Sequence, residues 1–455
     1  MSTLGTVTRR SFLFGAIALT GGVAFGYYRY ATPPENPLEK DLGAGEATFN
    51  PYLKISSDNR ITIIAPRAEM GQGSYTTLAA LLAEELDVTL DQVTIEHGPA
   101  SAAYYNAAAM REGAPLPQFD DGLVAESLRG ALGVVAKLVS IQFTGGSSSM
   151  IDHFDKLRHA GAAAREALKA AAAARWNVAT YSLEANAGVV TDPASGRSAT
   201  YGELALEAAP LSAKVEARLK PRSDWTILGK PQPRKDMLAK VTGAPIFGVD
   251  VDLPDMLYAT VRMNPSPGGR VRSFDGNAAR SMPGVEQVIA IDSPYGQGVA
   301  VIADNTWRAF KAIEAITVEW EMGPIPASTT EMEALHTAAL DGTDSFSLRT
   351  LGDPDLVFAD AARENLVEAE YDVPFLSHAT MEPMNATALV TDTDVEVWAP
   401  NQGPTIIQYA AARITGFEHD KIKVHTTFLG GGFGRRIEPD YADYAIRIAQ
   451  RMKGR

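Results

Sequence analysis

The residues best suited to chemistry stand in short glycine-bearing breaks between regular elements. Met70-Gly71-Gln72-Gly73-Ser74-Tyr75-Thr76 lies between a strand pattern and a helix pattern. Glycines on both sides of Gln72 let the backbone approach a ligand, and the start of a helix offers free N–H groups. The Gln72 amide both donates and accepts, which suits the edge of a heterocycle or a phosphate. A tight turn whose glycines only satisfy backbone angles explains this loop equally well. Thr144-Gly145-Gly146-Ser147-Ser148-Ser149 again precedes a helix. Its backbone donors and hydroxyls could cradle an anion, although a serine N-cap on a flexible loop is the simpler account of that stretch alone. Gly430-Gly431-Gly432-Phe433-Gly434-Arg435-Arg436 is the strongest signal. Its glycines lose backbone entropy that a plain turn need not lose, Phe433 held among them can press on a ligand, and the arginines add positive charge. The spacing fits neither the dinucleotide fingerprint nor the phosphate loop of nucleotide triphosphatases.

Two polar runs accompany these loops. Phe375-Leu376-Ser377-His378-Ala379-Thr380-Met381-Glu382-Pro383-Met384-Asn385-Ala386 gathers His, Glu and Asn after a strand pattern. It reads equally as part of a site or as a buried polar network bracing a turn. Pro400-Asn401-Gln402-Gly403-Pro404 places Gln402 between a strand and a helix, where an exposed loop amide is the plain alternative.

The elements that must hold these loops follow from hydrophobic period. Strands are expected at Ile61–Ile64 and Val93–Ile95, with a helix over Thr76–Leu86 between them. A longer helix over Ile151–Trp176 has Leu157, Gly161, Ala164, Leu168 and Ala171 on one face, small enough for another element to approach closely. A second unit from Lys240 to about Gly323 shows strands at Leu257–Arg262, Glu286–Ile291, Gly298–Ile302 and Ile316–Trp320, with a helix near Trp307–Ala315. That mixture suggests a compact α+β domain. A third segment, from about Ala369, has strands at Glu370–Val373, Ala388–Val390, Val395–Ala399 and Lys423–Leu429, and helices at Thr405–Thr415 and Tyr441–Arg451. No repeat of solenoid period is visible.

Composition narrows the classes. The chain has 455 residues, with 41 Lys plus Arg against 55 Asp plus Glu, a net charge of −14 that argues against nucleic-acid binding. It contains no cysteine, which removes disulfides, thiol catalysis and Cys-ligated zinc or iron–sulfur clusters from this polypeptide. Electrons from any redox step must leave through a separate carrier. Near the start, Thr8-Arg9-Arg10-Ser11-Phe12-Leu13 precedes an uncharged, glycine-containing stretch to Tyr28, which matches a twin-arginine export signal and so a periplasmic location. A simple membrane anchor over residues 11–28 is the alternative.

Taken together, Met70-Gly71-Gln72-Gly73, Thr144-Gly145-Gly146-Ser147, Val241-Thr242-Gly243, His378-Ala379-Thr380-Met381-Glu382-Pro383, Gln402 and Gly430-Gly431-Gly432-Phe433-Gly434 resemble the large molybdenum-cofactor subunit of the xanthine dehydrogenase and aldehyde oxidase family. The branch typified by the isoquinoline 1-oxidoreductase beta subunit is the nearest in motif order. The resemblance implies an α+β fold with a hammerhead α/β domain between two partial cofactor-binding domains. The expected bounds are 1–32 for the signal or anchor, 33–48 for a linker, 49–222 and 350–455 for the cofactor-binding portions, and 236–325 for the hammerhead. It also implies a molybdenum–molybdopterin cofactor, in the cytosine dinucleotide form, with no side-chain ligand to the metal. Gln402 and Phe433 match the positions beside the metal's oxo group. Gln72, Gly73, Gly145, Gly146, Ser147, Ser148, Gly431, Gly432, Gly434 and Arg435 match positions that hold the cofactor.

The activity this implies is hydroxylation of an aldehyde or N-heterocycle with water-derived oxygen, with a small 2Fe–2S subunit or cytochrome c as electron partner. A catalytically inactive exported scaffold of the same fold is the alternative. Two departures qualify the resemblance. Ile437, followed by Glu438, stands where purine-oxidising members carry a glutamate. The family's general-base glutamate, near the end of a longer chain, has no counterpart here, which leaves two accounts open: a second polypeptide that supplies the remainder, or an interrupted gene with an inactive product.

Overall fold

In the computed structural model the described residues are 33–112, 122–326, 328–340, 342 and 352–454. The expected export segment, 1–32, lies outside them. The chain divides into two units, one of residues up to Met256 together with Thr380 onward, the other Leu257–Ala379.

The first unit contains two passages of similar path. In the first, β1 (Glu46–Asn50), β2 (Leu53–Ser56) and β3 (Ile61–Ala65) form an antiparallel meander. The chain then runs through helix α1 (Ser74–Glu85) and a 3-10 turn at Leu90–Gln92 into β4 (Val93–His97), which lies parallel to β3 with Ile61 opposite Val93. The Ile61-Thr62-Ile63-Ile64-Ala65 run is buried throughout, as a central strand covered on both faces requires. After α2 (Ala107–Glu112) and α3 (Leu123–Val139) comes the 29-residue helix α4 (Ser148–Trp176). Its small-residue face meets α1 as the sequence suggested. A Cβ on Gly161 would lie 2.4 Å from the Leu82 carbonyl oxygen, so only glycine permits this helix spacing. A small sheet of β5 (Glu184–Asn186), β6 (Val189–Thr191) and β7 (Ser198–Thr200), helix α5 (Tyr201–Ala208) and the short helix α6 (Met237–Thr242) complete this part.

Glu84, near the end of α1, ties these pieces together. Its buried carboxylate accepts from the N–H groups of Thr226, Ile227 and Leu228 and from Lys220 Nζ at 2.8 Å. Burial opposes ionisation, but Lys220 and those backbone donors outweigh it and hold the pKa at about 2.

The second unit pairs β8 (Tyr258–Met263), β10 (Val285–Ser293) and β11 (Gly296–Ala303) in the order β10-β11-β8, and β9 (Arg270–Asp275) with β12 (Thr317–Glu321). Between them lie α7 (Asn277–Arg280) and α8 (Thr306–Glu314), and Val288, Val299, Val301, Ala312 and Ile316 form its core. Helices α9 (Thr329–Leu340) and α10 (Pro354–Asp360) bury none of their described side chains. The expected strand at Glu370–Val373 is absent. The backbone from Leu366 to Ala379 has no regular structure, and Val367 and Tyr371 are 93% and 89% exposed. Alternation of apolar and acidic residues announces a strand only where a neighbouring strand can pair with it, and none does so among the described residues.

Back in the first unit, β13 (Thr387–Val390) pairs antiparallel with β14 (Val395–Ala399). Helix α11 (Pro404–Thr415) and a 3-10 turn at His419–Lys421 lead to β15 (Ile422–Thr426), parallel to β14 with Val395 opposite Ile422. This is the second passage of the shared path, and helix α12 (Asp440–Met452) packs beside it. The last strand ends earlier than the expected Leu429, because Phe428 and Leu429 leave the ladder to donate to the carbonyls of Ile246 and Glu69. Among the described residues, no helix is long and apolar enough to cross a membrane.

Candidate functional site

The glycine-rich breaks that follow β3, precede α4 and follow β15 meet one another, and Gln402 stands at the junction. Thr144 is the pivot from the second break. Its N–H donates to the Gln402 carbonyl at 2.7 Å, its carbonyl accepts from Gln402 Nε2 at 2.8 Å, and its hydroxyl oxygen accepts from the Ala68 N–H at 2.9 Å. Gln402 is 2% exposed. Its backbone N–H donates to the Arg436 carbonyl at 3.0 Å, and its Oε1 accepts from the Arg436 N–H at 3.3 Å. An amide oxygen facing a backbone N–H fixes the orientation of the side chain and leaves one Nε2 hydrogen beyond the bond to Thr144. Gly432 lies against the same group. A Cβ there would stand 2.8 Å from Gln402 Oε1 and 2.5 Å from Met70 Sδ, so the third break can close on the first only through glycine.

The first break is more self-contained than its sequence suggests. Gly71 and Gly73 adopt left-handed backbone, with φ of 109° and 85°. The buried Glu69 carboxylate accepts from the N–H groups of Gly71, Gly73 and Tyr75 at 2.9, 3.2 and 3.0 Å. It also meets Arg234 at 2.9 Å and Lys240 at 3.4 Å. Burial raises its pKa, yet the backbone donors of Tyr75 and Gly73, with Lys240, outweigh that and hold it below the usual carboxylate range. An internal anion therefore already caps the helix that was expected to offer free donors. Gln72 is exposed, and its amide is committed to its own loop: Oε1 accepts from the Met70 N–H, and Nε2 donates to the Ala68 carbonyl and to Ser74 Oγ.

The second break is the more open one. Gly146 and Ser147 are exposed in left-handed backbone, a Cβ on Gly146 would meet nothing within 4 Å, and Ser147, the N-cap of α4, makes no capping bond through its side chain. Ser148 turns inward, donating to the Gly145 carbonyl at 2.6 Å and accepting from Asn106 at 2.7 Å. Gly145 is half-buried against Ile437. The start of a long helix, fronted by a bare glycine and an unengaged hydroxyl, can receive an anionic group.

In the third break, Phe433 is 71% exposed with φ of 54°, and Gly434 follows at 88° with open space around it. The two arginines expected to lend charge to a ligand point elsewhere. Arg435 forks onto Asp440 at 2.7 and 2.6 Å, which matches its charge within the protein. Arg436 is buried and pairs with Glu382 at 3.1 Å. Of the His378–Asn385 run, Glu382 and Asn385 face inward and bond each other at 3.1 Å. Met381 is exposed, and His378 belongs to the other unit. Gly243, from the Val241-Thr242-Gly243 motif, ends α6 at φ of 73°.

Two groups at the junction escaped sequence reading. Glu69 looked like one acidic residue among many, because nothing local marks a carboxylate that accepts from the backbone two, four and six residues further on, at Gly71, Gly73 and Tyr75. His97, at the end of β4, accepts at Nε2 from the Glu69 N–H at 3.3 Å and packs between Tyr75 and Phe428. Burial lowers its pKa to about 4, so it is neutral at physiological pH. A cavity of about 1190 Å³, lined by β4 and β15 residues including His97 and His425, does not include Gln402 or Phe433. Among the described residues no cluster of three His, Cys, Asp or Glu is placed to hold a metal ion directly.

The geometry fits a flat, anion-tailed cofactor held by backbone and amide groups. Gly71, Gly73, Gly146 and Gly434 all present positive-φ backbone with open space where a Cβ would stand, and Phe433, next to Gly434, exposes its ring. Sequence comparison identifies such a cofactor. Residues 18–110 and 340–455 each match a molybdopterin cofactor-binding domain. The isoquinoline 1-oxidoreductase beta subunit of Brevundimonas diminuta is 32% identical over 95% of this chain and 56% of its own. The membrane-bound aldehyde dehydrogenase (pyrroloquinoline-quinone) of Gluconacetobacter polyoxogenes is 27% identical over 99% of this chain and 55% of its own. Among solved structures, the aldehyde oxidoreductase from Desulfovibrio gigas covers 55% of this chain and 33% of that chain at 21% identity, with a TM-score of 0.39. The chain spans about half the length of the curated relatives it matches. It resembles the molybdopterin-cofactor-binding subunits of xanthine dehydrogenase and its relatives, the isoquinoline 1-oxidoreductase beta subunit among them.

Proposed function

We propose that this chain is the part of a molybdenum hydroxylase large subunit that seats the cofactor, in an enzyme that oxidises an aldehyde or an N-heterocycle. The observation that carries this reading is the junction of Gln402, Thr144, Gly432 and Met70, where three separate loops close on one oriented amide. When bound, the cofactor supplies the redox centre and the transfer of water-derived oxygen.

The chain's own residues bind and orient it. Gln402, held at both ends of its amide, presents its remaining Nε2 hydrogen without rotational freedom, which favours one geometry of an oxygen acceptor. Glycine at 432 keeps the surface beside that amide free of a side chain. Phe433 offers an aromatic face that can exclude water from the reacting side. The open start of α4 at Gly146 and Ser147 receives the phosphate-bearing tail, which we take to be a cytosine dinucleotide. Each turnover releases two electrons, and with no cysteine in the chain they pass to a separate iron–sulfur or cytochrome partner. The twin-arginine pattern at Arg9-Arg10 supports export after folding, and so a periplasmic location.

The test is metal and nucleotide analysis of the chain purified, with whatever subunits accompany it, from a host that makes the cofactor. Near-stoichiometric molybdenum together with released cytidine nucleotide is the expected result. Protein that carries a quinone, or no cofactor at all, overturns the reading.

A further inference from the structure

The loop that carries Phe433 is fastened to the rest of the first unit by one buried ion pair. Arg436 reaches Glu382 Oε2 at 3.1 Å, with both side chains at least 95% buried. The guanidinium also donates from Nε to the Gly431 carbonyl at 2.8 Å, from Nη2 to the Glu382 carbonyl at 2.7 Å and from Nη1 to the Pro400 carbonyl at 3.4 Å. The same residue's backbone holds Gln402 at both its N–H and its Oε1. Glu382 answers from the other side. Its Oε2 accepts from the Gly430 N–H at 2.9 Å, and its Oε1 accepts from Gly248 N–H at 2.9 Å, Val249 N–H at 3.3 Å and Asn385 Nδ2 at 3.1 Å. The backbone at Gly430 closes on it too, since a Cβ there would lie 2.3 Å from Glu382 Cβ.

We infer that Glu382 and Arg436 are positioning residues, a clasp that sets where the Gly430–Gly434 loop and the Gln402 amide stand toward the cofactor. The inference rests on the proposed function for what the loop faces, but not for the clasp itself. Four separate stretches, 248–249, 382–385, 400–402 and 430–436, converge on two side chains that have no other role at the surface. Every partner of the Glu382 carboxylate is a donor. An amide in its place must therefore turn its own N–H groups toward another donor in either orientation, at one end or the other. Arg436→Lys keeps the charge but loses the fork that reaches Gly431, Pro400 and Glu382 together.

The test uses Glu382→Gln and Arg436→Lys in the full chain as purified. Glu84→Gln serves as comparator, because it breaks a buried carboxylate of similar bonding that lies outside the loop junction. Three quantities are read: amide hydrogen exchange by segment, molybdenum content, and the electron paramagnetic resonance signal of the partly reduced metal. Both clasp variants should speed exchange in 400–402 and 430–436 by about tenfold or more, with α1 unchanged. They should keep molybdenum yet alter the resonance signal, and lower turnover by about 100-fold with little change in KM, as displacement of an oriented group does. Glu84→Gln should loosen the Thr226–Leu228 contact and leave the signal as in the wild type. Clasp variants that hold molybdenum with wild-type exchange in 430–436, or with a wild-type signal, overturn the inference alone. Molybdenum missing from the wild-type chain overturns the proposed function and, with it, the role of the clasp toward the cofactor.

Discussion

The two strand–helix–strand passages of the first unit follow nearly the same path and treat the same dipeptide in opposite ways. Each leaves its strand through Ala-Pro, at Ala65-Pro66 and Ala399-Pro400, and enters its helix through Gln-Gly, at Gln72-Gly73 and Gln402-Gly403. In the first passage the loop is longer and brings its own carboxylate. Glu69 satisfies the helix start, and Gln72 braces the loop from outside. The second loop, Pro400–Gly403, has no acid of its own. Gln402 turns inward, and its amide is completed by Thr144 and Arg436 from two other loops. A break that satisfies its own polar groups becomes a rigid wall, whereas one that does not becomes the place where other loops must dock. The oriented amide, and with it the proposed chemistry, falls on the second kind.

That contrast can be broken most severely at Glu69. Glu69→Gln leaves the N–H groups of Gly71, Gly73 and Tyr75 facing an amide, while Arg234 and Lys240 keep Asp236 at 2.7 and 2.5 Å, and should lower stability by about 3 kcal/mol in urea unfolding, the upper range for unsatisfied buried donors. A smaller loss would mean that the first loop is not self-contained. Gly432→Ala comes next. Its Cβ would strike Met70 Sδ and Gln402 Oε1, so a loss of about 1–3 kcal/mol is expected, together with reduced molybdenum content.

Substituting each glutamine tests the asymmetry itself. Gln402→Ala strands the Thr144 carbonyl and the Arg436 N–H in a buried setting and should cost about 1–3 kcal/mol. Gln72→Ala, at an exposed position, should change stability by about 0.5 kcal/mol or less. Equal effects at the two sites would remove the distinction. The gentlest test is pH. Burial sets the folded-state pKa of His97 at about 4 against an unfolded value near 6.5, so its contribution is complete above pH 6.5 and is lost as pH falls toward 4. His97→Gln should flatten the fall in urea stability across that window, while the steeper loss from Glu84 and Asp236, each held at about 2, persists at lower pH.

Local pattern made much of this legible. Helices α1, α4, α11 and α12 and strands β3, β4 and β14 lie where period and turn residues put them, because each buries a face whose spacing is written in the chain. Gly161 announced its role, since a small residue on an otherwise apolar helix face implies close approach. What pattern could not show was where side chains go after the backbone turns. Arg435 and Arg436 read as exposed charge, yet one forks onto Asp440 and the other is buried, because their partners stand 5 and 54 residues away along the chain. Gln72 and Gln402 look alike in sequence, and only the loops packed on them decide which amide is consumed locally. The strand expected at Glu370–Val373 failed for a related reason: alternation records what a segment could pair with, not whether a mate is at hand.

The bare stretch from Leu366 to Ala379 also affects how the chain survives in a cell. With Val367, Tyr371, Val373 and Phe375 all turned outward, it offers proteases an extended substrate and offers nascent sheets elsewhere a sticky template.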